Sequence, residues 1–247
     1  MVLLTHFVPL SKGRFLSVKV KDRELADEAA KRLSIVMGRK KPYAVGRFSD
    51  GRYYVEVQSR ELVDHLLDRR NILAYLDKRP KEFIQAFFDC DGYASGTVRS
   101  SGDFLGVVGL VNTDRDLLMA ISEKLDEFNI EANLAKLYPS GREIITSKGR
   151  TVARKDCFYL RIGAPESIVR FHRMVKPSIR RKREKLKDIA DILTNFGSGW
   201  EAAVGWIRRY EYKEGMGRQR WFRRKKFLEW EDAIEEYEKF LARRSSD

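Results

Sequence analysis

The chain has 247 residues, enough to bury a substantial core as one domain with an appendage or as two small domains. Its formal net charge of +13 indicates attraction to polyanions, most often nucleic acid; a ribosome-associated protein or a merely basic surface is the alternative. No apolar run reaches the roughly 20 residues that span a bilayer, and the first residues lack the basic start and cleavage site of a signal peptide. We therefore expect no membrane partner.

Apolar periodicity predicts an α+β fold in which one series of elements occurs twice. The first series is a strand over 14–20 with a hairpin partner over 2–9, a helix from Asp22 to about Val36, strands over 43–49 and 52–58, and a helix from about Ser59. The second series is strands over 93–100 and 104–112, a helix over 114–128, strands over 131–138 and 157–163, and a helix from about residue 165.

Two segments match in register between the series, which indicates an internal duplication. Asp22–Leu25, with the sequence DREL, matches Asp114–Leu117, with the sequence DRDL. Further along, Tyr54–Val57 matches Tyr159–Ile162.

The cysteines, Cys90 and Cys157, provide neither a disulfide framework nor the clustered ligands of a metal knuckle. We expect a reducing, intracellular location, namely the cytoplasm of an archaeal or other prokaryotic cell. Charged residues make up 34% of the chain while Asn and Gln are sparse, a balance typical of thermophile proteins.

An apolar helix between the two series ends in two acids and a glycine. Pro80 suits its first turn, and Gly92 is a natural stop. Ala86 and Cys90 lie four residues apart, so one face offers a strip of small residues that a second helix could approach closely. Asp91 lies near the negative end of the helix dipole, where a bound cation is favoured. A buried amphipathic helix with two acids at its solvated end is the alternative.

The run Ile84–Gly92 resembles the motif of the LAGLIDADG homing endonucleases. Asp89 stands at the first acidic position of that motif and Asp91 at the second. Gln85 and Ala86 stand where the motif has its small second residue and its glycine.

The resemblance covers about residues 1–194 and implies a duplicated αββαββα saddle in which two motif helices pack at a pseudo-twofold axis. The first copy lacks its leading helix in this sequence. Three explanations are open: a truncated N-terminus, a homodimer that pairs the 80–92 helices of two chains, or loss of the helix in a protein that only binds.

The resemblance also implies Mg²⁺-dependent hydrolysis of DNA. Asp91, with the backbone carbonyl of Cys90, would hold the Mg²⁺ ion, which would activate water and offset charge on the leaving oxygen. Lys182 matches the family's basic residue near the active-site water, and would stabilise charge on the phosphate or polarise the water. Asp89 lies about 200° around the helix from Asp91, so we expect it to be structural and to close the helix end.

Alternating side chains on strands can reach successive base edges in the major groove of duplex DNA. For each candidate contact the alternative is an ordinary solvent-facing residue. The predicted contacts with double-stranded DNA are Lys19, Lys21, Arg47, Arg52, Gln58, Arg99, Asn133, Lys136, Tyr138, Arg161, Arg180, Arg181, Arg220, Arg223 and Arg224.

We divide the chain into a first LAGLIDADG-like repeat over 1–79, a second over 80–194 that carries the motif helix, and a basic, aromatic helical extension over 195–247. The predicted function is a site-specific DNA endonuclease of homing type, of intron or intein origin, which nicks its target or depends on a dimer. The alternatives are a catalytically degenerate DNA-binding protein of the same descent, acting as a regulator or intron maturase, and a basic RNA-binding module.

Overall fold

A computed structural model describes residues 7–10, 15–146, 149–214 and 221–244, and of residues 7–10, 145, 146 and 149 the backbone alone. The helices are α1 (Arg23–Val36), α2 (Arg60–Leu67), α3 (Arg69–Lys78), α4 (Pro80–Asp91), α5 (Arg115–Glu127), α6 (Pro165–Met174), α7 (Arg180–Phe196), α8 (Trp200–Arg209) and α9 (Trp230–Arg244). The strands are β1 (Phe7–Leu10), β2 (Phe15–Val20), β3 (Gly46–Arg47), β4 (Tyr53–Gln58), β5 (Gly92–Val98), β6 (Phe104–Asn112), β7 (Asn133–Tyr138), β8 (Glu143–Thr146), β9 (Gly149–Val152), β10 (Cys157–Ile162), β11 (Tyr210–Tyr212) and β12 (Trp221–Arg223).

Two four-stranded sheets share one topology, β1-β2-β4-β3 in the first copy and β5-β6-β10-β7 in the second. All pairings within them are antiparallel. Lys19 lies opposite Tyr54 in the first sheet, and Val111 lies opposite Tyr159 in the second. Because the two tyrosines begin the segments that match in sequence, the duplication extends to strand register. The predicted α+β fold with a duplicated series is confirmed.

Local signals place most helix starts. Asp22 and Asp114 are the N-cap residues of α1 and α5, as their matched sequences predict. The Ser59 hydroxyl accepts a hydrogen bond from the backbone nitrogen of Leu62 at 3.1 Å and so caps α2. A separate helix, α3, was not predicted; the Asp68 carboxylate caps it by accepting from the backbone nitrogen of Arg70 at 2.9 Å.

Each sheet buries one face in its own apolar core. The first core lies between β2, β4, α1 and α2, and Ile179, just before α7, joins it. The second core gathers side chains from β5, β6 and β10 and from α3 to α9, and it includes Trp206 of the C-terminal extension. The extension therefore packs onto the second copy, and the start of α7 closes the core of the first.

The two copies differ at their beginnings. The second copy begins with α4, which leads directly into β5, whereas Phe7 of β1 is the first residue that the structure describes in the first copy. None of the described helices is long and apolar enough to cross a membrane.

Candidate nucleic-acid and metal site at the end of α4

Helix α4 ends where the backbone of Gly92 passes close to the ring of Phe88. Gly92 is the C-cap residue and also begins β5, with an extended backbone. A Cβ atom at Gly92 would lie 2.3 Å from a ring carbon of Phe88 and 2.7 Å from its Cα atom, so a larger residue cannot stand there without a shift. This tight turn places Asp91 at the junction of helix and sheet.

Asp91 is half-buried and is oriented by β6. The Asn112 side chain donates a hydrogen bond from Nδ2 to Oδ2 of Asp91 at 2.8 Å. Asn112 is itself held because its Oδ1 accepts from the backbone nitrogen of Asp114 at 2.9 Å. The sequence analysis missed Asn112, although it is the one polar side chain in the β6 sequence FLGVVGLVN.

Asp89 points away from that junction, to the start of α7. Its side chain is 3% exposed, and both of its carboxylate oxygens lie 3.0 Å from the backbone nitrogen of Ser178. Burial raises the pKa of Asp89, against the opposing effect of the hydrogen bonds from Ser178 and Ile179. The acid at the end of α4 therefore holds the segment that leads into α7.

Lys182 makes the reciprocal contact from α7 to α4. It is 8% exposed, and its Nζ donates to the backbone carbonyls of Phe88 and Asp89 at 2.8 Å each. Burial and the neighbouring Arg181 lower the pKa of Lys182, while Asp89 acts in the opposite direction. Because an ammonium has three N–H donors, these two bonds leave one donor for another acceptor.

The strip of small residues on α4 is covered by the chain itself. Ala86 is 3% exposed, and Cys90 packs against the core of the first copy. Alongside them, the side-chain oxygen of Gln85 accepts from the backbone nitrogen of Lys176 at 3.3 Å. The need to cover this strip, which motivated the expectation of a homodimer through residues 80–92, is therefore met within one chain.

The donor atoms available for a metal are few. No group of three or more His, Cys, Asp and Glu side chains that could hold a metal ion occurs among the described residues. Asp91 offers a carboxylate, and the Cys90 carbonyl is at the same helix end, whereas both oxygens of Asp89 bind Ser178. Such a set fits Mg²⁺, which takes one or two carboxylates from a protein and completes its octahedron with water and substrate phosphate oxygens.

The outer face of the second sheet, opposite its core, carries a polar row. Arg161 of β10 lies opposite Gly109 on one side and Asn133 on the other. Tyr93 pairs with Gly109 from β5, and a Cβ atom there would lie 2.4 Å from the Tyr93 ring. Glycine thus lets a tyrosine lie flat across the sheet beside Arg161.

On the first sheet, Lys19 and Gln58 lie on the outer face, and the Lys19 Nζ is 5.2 Å from the Phe48 ring centroid. Two predicted contacts lie on the helix-side faces instead. Arg47 lies opposite Tyr53 in the first sheet, and Lys136 opposite Phe158 in the second. Their side chains follow the pleat to that side, so neither shares the outer face with Lys19 or Arg161.

The other predicted DNA contacts are dispersed, and Arg220 is outside the described residues. Lys21 and Arg99 are exposed, and Tyr138 is half-buried. The remaining arginines form ion pairs with carboxylates of the protein: Arg52 with Asp50, Arg180 with Glu184, Arg181 with Asp22, and Arg223 with Asp188. Arg224 is 15% exposed and pairs with Glu236.

A comparison with protein families matches residues 78–176 to the LAGLIDADG-like domain. An uncharacterized protein of Methanocaldococcus jannaschii is 27% identical over 180 residues, which are 72% of this chain and 63% of that protein. The chain thus spans less than two thirds of the length of that relative.

Several solved structures show a distant likeness. Mesophilic variants of the homing endonuclease I-DmoI are 15% identical and align over 68% of this chain and 85% of theirs, with a TM-score of 0.44. I-DmoI in complex with DNA and Ca is 14% identical over 69% of this chain and 80% of its own, with a TM-score of 0.42. I-CvuI in complex with DNA is 14% identical over 68% of this chain and 98% of its own, with a TM-score of 0.36.

The matched region contains α4 with both of its acids, β5, β6 and β10, and the strand register repeats that of the first sheet. The resemblance to the LAGLIDADG family is confirmed over residues 78–176, which match the LAGLIDADG-like domain.

Proposed function

We propose that the protein is a site-specific DNA endonuclease of the homing type, which binds a long duplex target along its two sheets and hydrolyses a phosphodiester bond with Mg²⁺ at Asp91. The observation that carries the proposal is the placement of Asp91: a half-buried carboxylate at the end of the motif helix, with Oδ2 held by Asn112 at 2.8 Å. The net charge of +13 supports a polyanionic substrate.

Each residue of the helix end has a distinct task in this proposal. Asp91 and the carbonyl of Cys90 would hold the Mg²⁺ ion, and Asn112 would orient the carboxylate. When bound, the metal would supply an activated water and offset charge on the leaving oxygen. Asp89 and Lys182 would keep the end of α4 fixed against the start of α7, so that Asp91 needs no reorganisation when DNA binds.

One motif helix supplies one such acid. Among the described helices α4 alone ends in the motif acids, and its small-residue face is covered internally. We therefore propose that one protein molecule cuts one strand of its target, and that double-strand cleavage needs a second acid from elsewhere.

The experiment is scission of a randomised duplex DNA library in Mg²⁺, with wild type, Asp91→Asn and a matched control, Asp126→Asn. Asp126 is an exposed acid on α5, remote from the end of α4 in sequence. We expect Asp91→Asn to keep DNA binding and to lose cleavage by about a hundredfold or more, because removing a metal-binding carboxylate removes the activated water. Asp126→Asn should cut as wild type does. Wild-type rates in Asp91→Asn would exclude the proposed centre.

A second candidate is a DNA-binding protein of the same descent that does not cut, a regulator or an intron maturase. The contacts that join Asp89 and Lys182 across α4 and α7 favour it, because they give the motif a role in packing. Enrichment of a bound sequence by the wild-type protein, with no scission in either Mg²⁺ or Mn²⁺, would establish this function instead.

A further inference from the structure

A cavity of about 350 Å³ lies at the junction of β5, α7 and the β11–β12 hairpin of the extension. Its wall begins at Gly92, the residue after Asp91, but Asp91 does not line it. The charged residues in the described lining are four cations and one carboxylate. They are Arg181, Lys182, Lys185, Arg223 and Glu184.

Three of these cations have partners within the protein. Arg181 pairs with Asp22 at 2.9 Å, and Arg223 pairs with Asp188 at 2.9 Å. Lys182, as described above, donates to two backbone carbonyls of α4. These contacts hold the three side chains in place around the cavity, and each retains N–H groups beyond those that it uses.

Lys185 is different. Among the described residues no carboxylate or carbonyl accepts a hydrogen bond from it, and its Nζ lies 5.6 Å from the centroid of the Tyr210 ring. It is half-buried, and burial together with the nearby Arg181 lowers its pKa. An anion in the cavity would give this ammonium a charge-assisted hydrogen bond that no described protein group provides.

The remaining walls are aromatic and firmly placed. Tyr210 stacks on Trp206 with 3.8 Å between ring centroids, and the Trp221 indole donates to the Thr97 hydroxyl at 3.3 Å. Tyr93, on β5, is 40% exposed at the mouth. Tyr210 is 1% and Trp221 7% exposed, so Tyr93 is the lining ring that could contact a base or sugar, while the cations would bind phosphate.

A buried acid of α7, Asp188, holds the residues that the extension contributes to the cavity wall. Asp188 of α7 is 5% exposed and accepts from the Tyr210 hydroxyl at 3.0 Å and from Arg223 Nε at 2.9 Å. Both partners belong to the extension. Arg223 and Tyr210 are therefore fixed to α7 at the cavity, which gives the extension a role at the same helix end as Asp91.

We propose that this cavity binds the phosphate group of a nucleotide, with Lys185 as its main ligand and Arg181 and Arg223 beside it. The volume lies within the range of roughly 300–1,000 Å³ that small-molecule sites occupy. A free mononucleotide offers the same phosphate chemistry as a DNA strand. The assignment of the nucleotide to a DNA strand therefore rests on the proposed function.

The test is site-resolved acetylation of lysines by acetic anhydride, read by mass spectrometry on the full-length protein. The probes are a mixed-sequence duplex oligonucleotide and adenosine 5′-monophosphate. Lys187 is the internal control, because it lies on the same helix, is exposed and pairs with Asp191. With a probe at about ten times its Kd, acetylation of Lys185 should slow by about tenfold, and that of Lys187 should not change.

A binding measurement accompanies it. Lys185→Gln should weaken binding of the protected probe by about tenfold, the size of one charged hydrogen bond, whereas Lys187→Gln should not. For the duplex, Lys185→Gln should also lower the slope of log K against log salt by about 0.9, the contribution of one neutralised phosphate.

The outcomes separate this inference from the proposed function. Protection by the duplex, with or without the mononucleotide, places a strand phosphate in the cavity. Protection by the mononucleotide alone would support phosphate binding in the cavity and reject a DNA strand as the source of that phosphate. The scission experiment with Asp91→Asn tests the proposed function independently of this result. Acetylation of Lys185 that neither probe slows would overturn the inference.

Discussion

Both carboxylate oxygens of Asp89 lie 3.0 Å from the backbone nitrogen of Ser178, so the buried acid of α4 holds the segment just before α7. Lys182 returns the contact to the carbonyls that end α4. The carbonyls at the end of α4 thereby gain a donor, and the segment that leads into α7 is held against α4.

Asp89→Ala should lower the free energy of unfolding by about 2 kcal/mol, because it leaves the half-buried Ser178 N–H group without its acceptor. Urea denaturation followed by circular dichroism measures the loss, with Asp126→Ala as the exposed control. A loss no greater than that of the control would mean that the Asp89–Ser178 contact does not hold the helices together.

The same acid gives a pH dependence. Burial raises the pKa of Asp89 above its ordinary value of 3.8, so between that value and the raised pKa the folded state binds more protons than the unfolded state. The stability that Asp89 contributes is full below its ordinary pKa and is lost as pH rises through the raised pKa. Relative to Asp89→Asn, the wild type should therefore become less stable as pH rises above the ordinary value of 3.8. Urea denaturation of both proteins across this interval measures it, and an opposite trend would contradict the burial argument.

Lys182→Met keeps the length of the side chain and removes both hydrogen bonds to the end of α4. We expect the free energy of unfolding to fall by about 2 kcal/mol and scission to slow by about tenfold or more, because the helix end that bears Asp91 loses its support. Lys187→Met on the exposed side of α7 is the matched control. Scission and stability both equal to wild type would exclude Lys182 from the site.

Asn112→Ala removes the amide that orients Asp91, while both proposed metal ligands stay unsubstituted. Loss of such a supporting hydrogen bond typically weakens metal affinity or activity by about 10- to 100-fold. Scission measured over a series of Mg²⁺ concentrations should show a requirement for more metal, with DNA binding in Ca²⁺ unchanged. A Mg²⁺ dependence identical to wild type would show that Asn112 plays no part in positioning Asp91.

The two faces of the second sheet give contrasting predictions. Arg161→Ala, on the outer face, should weaken binding of the selected target by about 1–3 kcal/mol and relax specificity at one or two base pairs. Lys136→Ala, on the helix-side face and paired with Asp156, should have little effect on specificity. Binding to target variants measures both, and a larger loss of specificity in Lys136→Ala would place DNA on the other face.

The elements that the sequence predicted are those set by local patterns. Alternation marks β2, a run of apolar residues marks β6, and the acidic N-caps Asp22 and Asp114 mark equivalent helices, so duplication and register follow from neighbouring residues. The contact of Asp89 with Ser178 joins residues 89 positions apart and depends on how α7 returns across α4, which no local pattern encodes. Asn112 could have been found, since a lone amide ends an otherwise apolar strand. Lys185 could not, because several cations around it look alike in sequence.

The central claim is that one acid, Asp91, gives one cut strand. Single-turnover scission of a selected duplex with a different label on each strand tests it most directly, in Mg²⁺ and with protein in excess. The account predicts that one strand is cut by the wild type and neither by Asp91→Asn. Cutting of both strands at equal rates, or scission that persists in Asp91→Asn, would contradict it.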